Sequence, residues 1–408
     1  MRPVDIIGTG MTHFGRHLDK SHTDLVQAAV REAMADAGIG PEALDTSIYA
    51  NVVQGFVAGE MSIPGEYALR PLGIRGVRAF HVEAACASGT MALHLAYDLI
   101  RSGIADVVLT VGVEKLYNED RAKRFAVFQQ PLDIEEAGRY LAATAGRLAA
   151  VPEGKENKSP NVLMEAYAAQ ARLHMATYGS TAEQFAAVSA KNHVHSEHNP
   201  LSQYRNRMTG EEVLAAPLVA WPLTVPMCAP ISDGAAAAVL CASELTARLG
   251  ASNPIRIRAC RSETGTDRDP ADYASHVSRR VSAKAYEDAG IGPEDVDLAE
   301  VHDASSSGEV VQVEALGLSK PGEGGADALA GALSLGGRIP VNVSGGLVSK
   351  GHPLGATGLA QIHELAGQLR GRAGKRQVEG ARLAVAENSG GFYGVEDGMA
   401  CVTVLSRG

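Results

Sequence analysis

Asp36-Ala37-Gly38-Ile39-Gly40-Pro41-Glu42 returns unchanged 252 residues later as Asp288-Ala289-Gly290-Ile291-Gly292-Pro293-Glu294, and Asp45 returns as Asp297 at the same offset. Seven identical residues in order mark a duplication, and a duplication constrains the fold more than any single element does. In both copies the stretch closes a helical run, Leu25 to Ala37 and Val277 to Ala289, with Gly as the stop and Pro shortly after. An apolar strand is expected next in each. Farther on, the β-like runs Val107 to Val111 and Leu383 to Ala386 each follow a helical segment of similar length, Thr90 to Arg101 and Leu359 to Leu369. Strands alternating with helices predict two pseudo-equivalent α/β halves, each a mainly parallel sheet covered by helices.

The halves are interrupted. Between Lys115 and about Trp221 the strand rhythm disappears, and a polar run from Pro152 to Pro160 carries Lys155, Glu156, Asn157, Lys158 and Ser159. About a hundred residues suffice for a subdomain. The expected division is a first half in residues 1–117 and 222–250, an inserted loop subdomain in 118–221, and a second half in 251–408.

Composition narrows the class. The 408 residues are 45% hydrophobic and 5% aromatic with 45 glycines, which suits close packing of helices on sheets and excludes collagen, coiled coil and low-complexity chains. A net charge of −10 and the lack of a Lys/Arg-rich run argue against nucleic acid or an anionic membrane as partner. No apolar run approaches the ~20 residues that span a bilayer, and Met1 to Gly8 reads as a first strand rather than a signal peptide. The five cysteines (Cys86, Cys228, Cys241, Cys260, Cys401) are odd in number and contain no C-x-x-C pair, so a cytoplasmic enzyme with reduced thiols is expected.

Cys86, in Glu83-Ala84-Ala85-Cys86-Ala87-Ser88-Gly89-Thr90, lies between a strand and a helix. A helix N-terminus lowers a thiol pKa and offers N–H groups to an oxyanion, and small neighbours leave room for an acyl group. The alternative is a buried core cysteine. At the matching point of the second half, Ser344-Gly345-Gly346-Leu347-Val348-Ser349-Lys350-Gly351-His352-Pro353-Leu354-Gly355-Ala356-Thr357-Gly358 packs many glycines around one histidine. If the halves face each other about a pseudo-twofold, His352 meets Cys86 and forms a Cys-His pair. Otherwise His352 is a turn residue. His302-Asp303-Ala304-Ser305 follows a strand, where open α/β sheets carry ligands, although a satisfied loop histidine fits equally well. Asn388-Ser389-Gly390-Gly391-Phe392-Tyr393-Gly394 reads as a Gly-rich turn whose N–H groups suit an oxyanion. His193, His195 and His198 lack the spacing of a metal site, and no phosphate or dinucleotide loop is present.

Taken together, Ala85-Cys86-Ala87-Ser88-Gly89, His302-Asp303-Ala304, Gly351-His352-Pro353-Leu354-Gly355-Ala356-Thr357-Gly358 and the C-terminal Gly-rich stretch resemble the thiolase superfamily. The sterol-carrier-type thiolases, with a His-Asp motif, are the nearest in pattern. The likeness extends to Lys191-Asn192-His193, Asn199-Pro200 and Ser232-Asp233-Gly234. It implies a duplicated five-layered αβαβα fold, a homodimer or tetramer, acyl-CoA substrates, coenzyme A as co-substrate and no other cofactor or metal. It implies Cys86 as the acyl-accepting thiolate, His352 as its activating partner, and His302 with His352 around the enolate oxygen. The N–H groups of Cys86 and Gly390 would form the second oxyanion hole. Ser305, Asn388, Ser344 and Gly345 would touch substrate.

The chain departs from the family where a second cysteine is usual, having Asn388 in the C-terminal stretch and Ala304 in the His-Asp motif. The remaining acid/base candidates are His302, His352, Tyr393, a water or Cys228. Ser305 stands where an aromatic residue is common, opening that wall toward a bulky or polar acyl group. The leading expectation is CoA-dependent thiolysis of a branched or aromatic 3-oxoacyl-CoA, as in benzoylsuccinyl-CoA thiolases. A CoA-ester retro-aldolase or C-acyltransferase working with a small zinc-ribbon/OB-fold protein, and a non-catalytic acyl-CoA-binding scaffold, are the alternatives.

Overall fold

The computed structural model describes residues 1–59, 62–119, 131–155 and 162–408, so residues 156–160 of the polar run lie outside the described residues. Eleven strands are present among them: β1 (Val4–Met11), β2 (Thr46–Ala50), β3 (Arg78–Val82), β4 (Val107–Glu114), β5 (Leu218–Ala220), β6 (Leu223–Thr224), β7 (Gly234–Ala242), β8 (Ile255–Thr264), β9 (Leu298–Glu300), β10 (Leu383–Tyr393) and β11 (Glu396–Arg407). Nine of these run in the order β3-β2-β4-β7-β1-β8-β11-β10-β9. The two half-sheets join only where Val4, Asp5 and Ile6 of β1 meet Ile257, Arg256 and Ile255 of β8.

Among the described strands, the parallel pairs are β2–β3, β2–β4 and β9–β10. The expectation of mainly parallel sheets is therefore corrected. After the insertion the chain re-enters as β7 and slots antiparallel between β1 and β4, while β10 and β11 form a hairpin. A second correction concerns Asn388 to Tyr393. These residues are the end of β10, paired with β11 from Asn388↔Cys401 to Tyr393↔Glu396, rather than a turn.

Alternation of apolar residues along the strands sorts the side chains into separate cores. Between the half-sheets, the helices Ser88–Arg101 and Thr357–Leu369 pack against Ile48, Val108 and Leu240 on one side and Ile257, Ala384 and Leu405 on the other. Outside the first half-sheet the helix His22–Ala37 covers Ile7, Tyr49, Leu109 and Val239. Outside the second, the helices Val277–Ala289 and Ser306–Ala315 cover Ala259, Ala299, Val385 and Val402. The layers thus run helix, sheet, helix, sheet, helix. Two glycines permit the central crossing. A Cβ at Gly89 would stand 2.7 Å from the Gly355 carbonyl oxygen, and one at Gly358 would stand 2.7 Å from the Thr90 nitrogen.

Helices dominate the described part of the insertion: Pro131–Thr144, Val162–Tyr178 and Ala182–Ser196. Ala168, Ala171, Phe185 and Val188 join the core of the second half, although the segment leaves from the first. Tyr140, Leu163 and Ala166 form a small core of their own that reaches Phe392 at the hairpin end.

Candidate active site

Cys86 sits on a strained turn between β3 and the Ser88–Arg101 helix. Ala85 holds φ at 48°, a left-handed conformation that costs a non-glycine residue about 1 kcal/mol or more. Ser88 secures it: its hydroxyl donates to the Ala85 carbonyl (2.7 Å) and accepts from the Ala84 N–H (2.8 Å). Gly390 closes the turn from behind, since a Cβ there would lie 2.4 Å from the Ala84 oxygen and 3.0 Å from the Cys86 nitrogen. The Asn388 amide donates to the Cys86 carbonyl (3.0 Å) and to Thr90 Oγ1 (3.1 Å). Cys86 is left partly exposed on a buried helix start.

The loop carrying His352 is shaped by its glycines. Gly346 at φ 59° lets Asp303 approach, since a Cβ would meet Asp303 Oδ2 at 2.3 Å, and the Leu347 N–H donates to Asp303 Oδ1 (2.6 Å). The Gly355 N–H donates to Glu114 at the end of β4 (3.0 Å), tying this loop to the first half. The His352 N–H donates to Ser232 Oγ (3.0 Å).

These two ends meet. His352 Nε2 lies 3.2 Å from Cys86 Sγ. Thr357 Oγ1 donates to the Pro353 carbonyl (2.9 Å), so toward His352 Nδ1 at 2.7 Å its oxygen can only accept. The imidazole proton is thereby placed on Nδ1, and Nε2 faces the thiol as a base. His302, whose backbone N–H donates to Glu387 Oε2 (3.0 Å), sets its ring 5.4 Å from that of His352 at an interplanar angle of 69°. His302 Nε2 is buried with no hydrogen-bond partner among the described residues. The three donor atoms of Cys86, His302 and His352 lie within 4.8 Å of one another. A soft metal ion could be held by the same set, and would then occupy thiolate and both imidazoles at once.

Burial sets the electrostatics. It pushes His302 down to about 4, and with His302 and Lys350 nearby it holds His352 well below 6.5, so both rings are neutral near pH 7. Burial also lifts Glu387 to about 8 and Glu114 to about 7.

A cavity of about 550 Å³, counting its mouth, opens beside His302, Ala304 and Ser305. Ser305 is 1% exposed and caps the Ser306–Ala315 helix, its hydroxyl accepting from the Gly308 N–H.

Of the residues singled out from sequence, Cys86, His352 and His302 come together, Gly390 and Asn388 brace the Cys86 turn, and Ser305 lines the cavity. Ser344 and Gly345 lie outside the lining of that cavity. The Ser344 hydroxyl is fully buried against Glu300 and Lys350, and Gly345 presses on Ser196, whose Cβ a Gly345 Cβ would meet at 2.5 Å. Tyr393 is 51% exposed at the hairpin end, which leaves it unsuited to a sequestered proton transfer. Burial pushes the Cys228 thiol up to about 12. His195 has both nitrogens engaged, by the Asn342 carbonyl and the Leu335 N–H, and His193 Nδ1 meets the Asn206 carbonyl, so the H-x-H-x-x-H run serves packing.

Sequence reasoning missed Thr357, Ser232, Ser88 and Glu114. Only Thr357 left a signal, as a hydroxyl one helical turn after His352 at a helix start. Ser88 acts locally, on Ala84 and Ala85, whereas Ser232 and Glu114 act across long separations that spacing does not reveal.

Comparison with known proteins agrees with this geometry. Residues 4–210 match the thiolase N-terminal domain and residues 260–407 the thiolase C-terminal domain-like family. An acetyl-CoA acetyltransferase of Methanothermobacter thermautotrophicus is 37% identical over the whole of both chains. Sterol carrier protein 2 of Rattus norvegicus is 35% identical over 99% of this chain and 72% of its own. Benzoylsuccinyl-CoA thiolase subunit BbsB of Thauera aromatica is 34% identical over 96% of this chain and 95% of its own. The solved Ltp2-ChsH2(DUF35) aldolase shares the fold, with a TM-score of 0.76 at 23% identity over 99% of this chain and 98% of that one. With a thiol and two neutral imidazoles gathered at the meeting point of two duplicated halves, the chain belongs to the thiolase family and is a thiolase-type acyltransferase.

Proposed function

We propose that the protein cleaves a 3-oxoacyl-CoA with a branched or aromatic acyl group by CoA-dependent thiolysis through an acyl-Cys86 intermediate. The observation that carries this reading is the 3.2 Å contact of Cys86 Sγ with a His352 whose tautomer Thr357 fixes. As Sγ attacks the 3-oxo carbon, its proton passes to His352 Nε2, and the resulting oxyanion lies toward the N–H groups of Cys86 and Gly390. The C2–C3 bond then breaks, its electron pair forms the enolate of the departing CoA thioester, and a proton is added at C2. His302, neutral and with an unpartnered Nε2, stabilises the enolate oxygen, and His352 returns to C2 the proton it took from Cys86, in place of the second thiol. Free CoA then takes the acyl group from Cys86, and its thiol proton completes the cycle. Burial holds the His352 imidazole neutral, so Nε2 is free to take the Cys86 proton as substrate is attacked.

The division into residues 1–117 with 222–250, 118–221 and 251–408, a cytoplasmic setting and a homodimer belong to the same proposal. Among the described residues no helix is long and apolar enough to cross a membrane. Intact-mass measurement tests the chemistry. An acyl adduct after exposure to 3-oxoacyl-CoA that is lost in Cys86→Ala supports it; cleavage that survives Cys86→Ala sinks it.

A retro-aldolase assisted by a small OB-fold partner is the second reading. It is favoured by Ala304 and Asn388 at the two usual positions of the second thiol, by a relative named as a subunit, and by a neighbour solved as an assembly with a DUF35 protein. Activity gained only on adding such a partner would establish it.

A further inference from the structure

The cavity beside His302 combines aromatic and polar walls. Tyr140, Tyr167 and Tyr273 supply aromatic walls, while Gln312, His276 and Asp397 supply polar groups deep within it. All three of the latter are held in known orientations. Asp397 Oδ2 accepts from Gln312 Nε2 at 3.3 Å, and the same nitrogen lies 3.3 Å from Ser389 Oγ, which orients the amide. Gln312 Oε1 is therefore the free end of the amide, buried with no partner among the described residues. An unpaired buried carbonyl is costly, and a ligand that donates to it recovers that cost.

Carboxylates outnumber cations on the cavity wall. Asp397 and Glu396 both line it. Arg268 lines it too, but its Nε is engaged by Glu396 (2.6 Å), and its Nη1 by the carbonyls of Asp269, Pro270 and Asp272. His276 accepts the Ser278 N–H on Nδ1, which leaves its proton on Nε2, 3.9 Å from Asp397. Burial holds His276 near 3, hence neutral, and burial with Glu396 lifts Asp397 to about 6. An added carboxylate would face Asp397 and Glu396, and the Arg268 guanidinium on that wall is already paired with Glu396.

We propose that this cavity receives the acyl arm of the substrate and selects arms ending in a ring that carries a hydroxyl, recognised by Gln312 Oε1, against arms ending in a carboxylate. The aromatic walls fit the ring, and the orphan acceptor fits the donor. This specificity rests on the acyl-transfer reading of the Cys86 site, which fixes that the arm enters past His302 and Ser305.

The test separates the two. In Cys86→Ala no acyl-enzyme forms, so calorimetric binding of 3-oxoacyl-CoA probes ending in a 4-hydroxyphenyl, a phenyl or a 4-carboxyphenyl ring reads the cavity alone. The hydroxyphenyl probe is expected to bind about tenfold tighter than the phenyl probe, with the carboxyphenyl probe weakest at pH 8. Equal affinities, or a tightest carboxyphenyl probe, would overturn the proposal. Gln312→Leu in the same background should erase the hydroxyl preference, and a preference that persists overturns the assignment to Gln312. If the wild-type protein forms no adduct while the hydroxyl preference stands, only the acyl-transfer reading falls.

Discussion

The two copies of Asp-Ala-Gly-Ile-Gly-Pro-Glu and the two central helix starts behave in opposite ways. At the copies the halves match in detail. Gly38 and Gly290 close their helices at φ 69° and 67°. Asp45 accepts from the N–H groups of Asp106 and Val107 (2.7 and 3.1 Å), and Asp297 from those of Arg382 and Leu383 (2.8 and 2.9 Å). At the helix starts, each begun by a short 3-10 turn, only the backbone plan is shared. One start carries a strained Ala85 and the Cys86 thiol, the other His352 and an orienting Thr357. Duplication supplied two similar scaffolds, and the difference between their facing ends supplied the chemistry: a nucleophile and its base cannot come from identical ends.

The largest blow to this comparison should come from Cys86→Ala, which is expected to lower kcat/KM by about 10³ or more and abolish the acyl adduct while leaving the melting temperature nearly unchanged. A fold that collapses instead would mean that the Cys86 turn is scaffold, like the repeated stretch. His352→Ala should cost about 10²-fold or more, read both in turnover and in the rate at which iodoacetamide alkylates Cys86. With His352 intact, the acid limb of kcat/KM should lie below pH 6.5, because burial keeps the ring neutral there. An acid limb at or above 6.5 would contradict a buried, neutral base. Asn388→Ala frees the Cys86 carbonyl and is expected to lower kcat about tenfold, with the effect on kcat exceeding that on KM.

Stability offers finer tests. His302 and His352 hold protons less readily folded than unfolded, so they subtract stability as pH falls below 6.5. Glu387 works in the other direction. Folded, it keeps its proton up to about 8, whereas the unfolded chain releases it near 4.5, so its contribution falls as pH rises through that window. The melting temperature of Glu387→Gln minus that of wild type should therefore grow between pH 5 and 8, by roughly a few degrees. A difference that stays flat would place the Glu387 proton elsewhere. Smallest of all, Asp45→Ala and Asp297→Ala should each cost about 1 kcal/mol in urea unfolding, and by similar amounts. Unequal costs would show that the copies match in geometry without matching in energy.

Much of this was legible in the chain. The repeat announced two halves, the Gly stops placed the His22–Ala37 and Val277–Ala289 helix ends, and Cys86, His302 and His352 stood out as chemistry amid small residues. The errors have physical causes. Asn388 to Tyr393 looked like a turn because glycines signal turns, yet here Gly390 is required inside a strand to admit the Cys86 backbone. Ser344 and Gly345 looked like substrate contacts because they share a segment with His352, but they lie outside the cavity lining, in a segment fixed to Glu300, Lys350 and Ser196.

The sequence by itself determined the duplication, the α/β class and the three residues that chemistry requires, since these depend on local pattern and residue type. Only the tertiary structure decided that β7 inserts antiparallel, that Thr357 fixes the His352 tautomer, and that Gln312 Oε1 is left unpaired beside carboxylates in the cavity. Strand order and unmet hydrogen bonds are set by neighbours tens to hundreds of residues apart, and the tautomer, though set by a residue only five positions away, depends on side-chain directions that no residue pattern records.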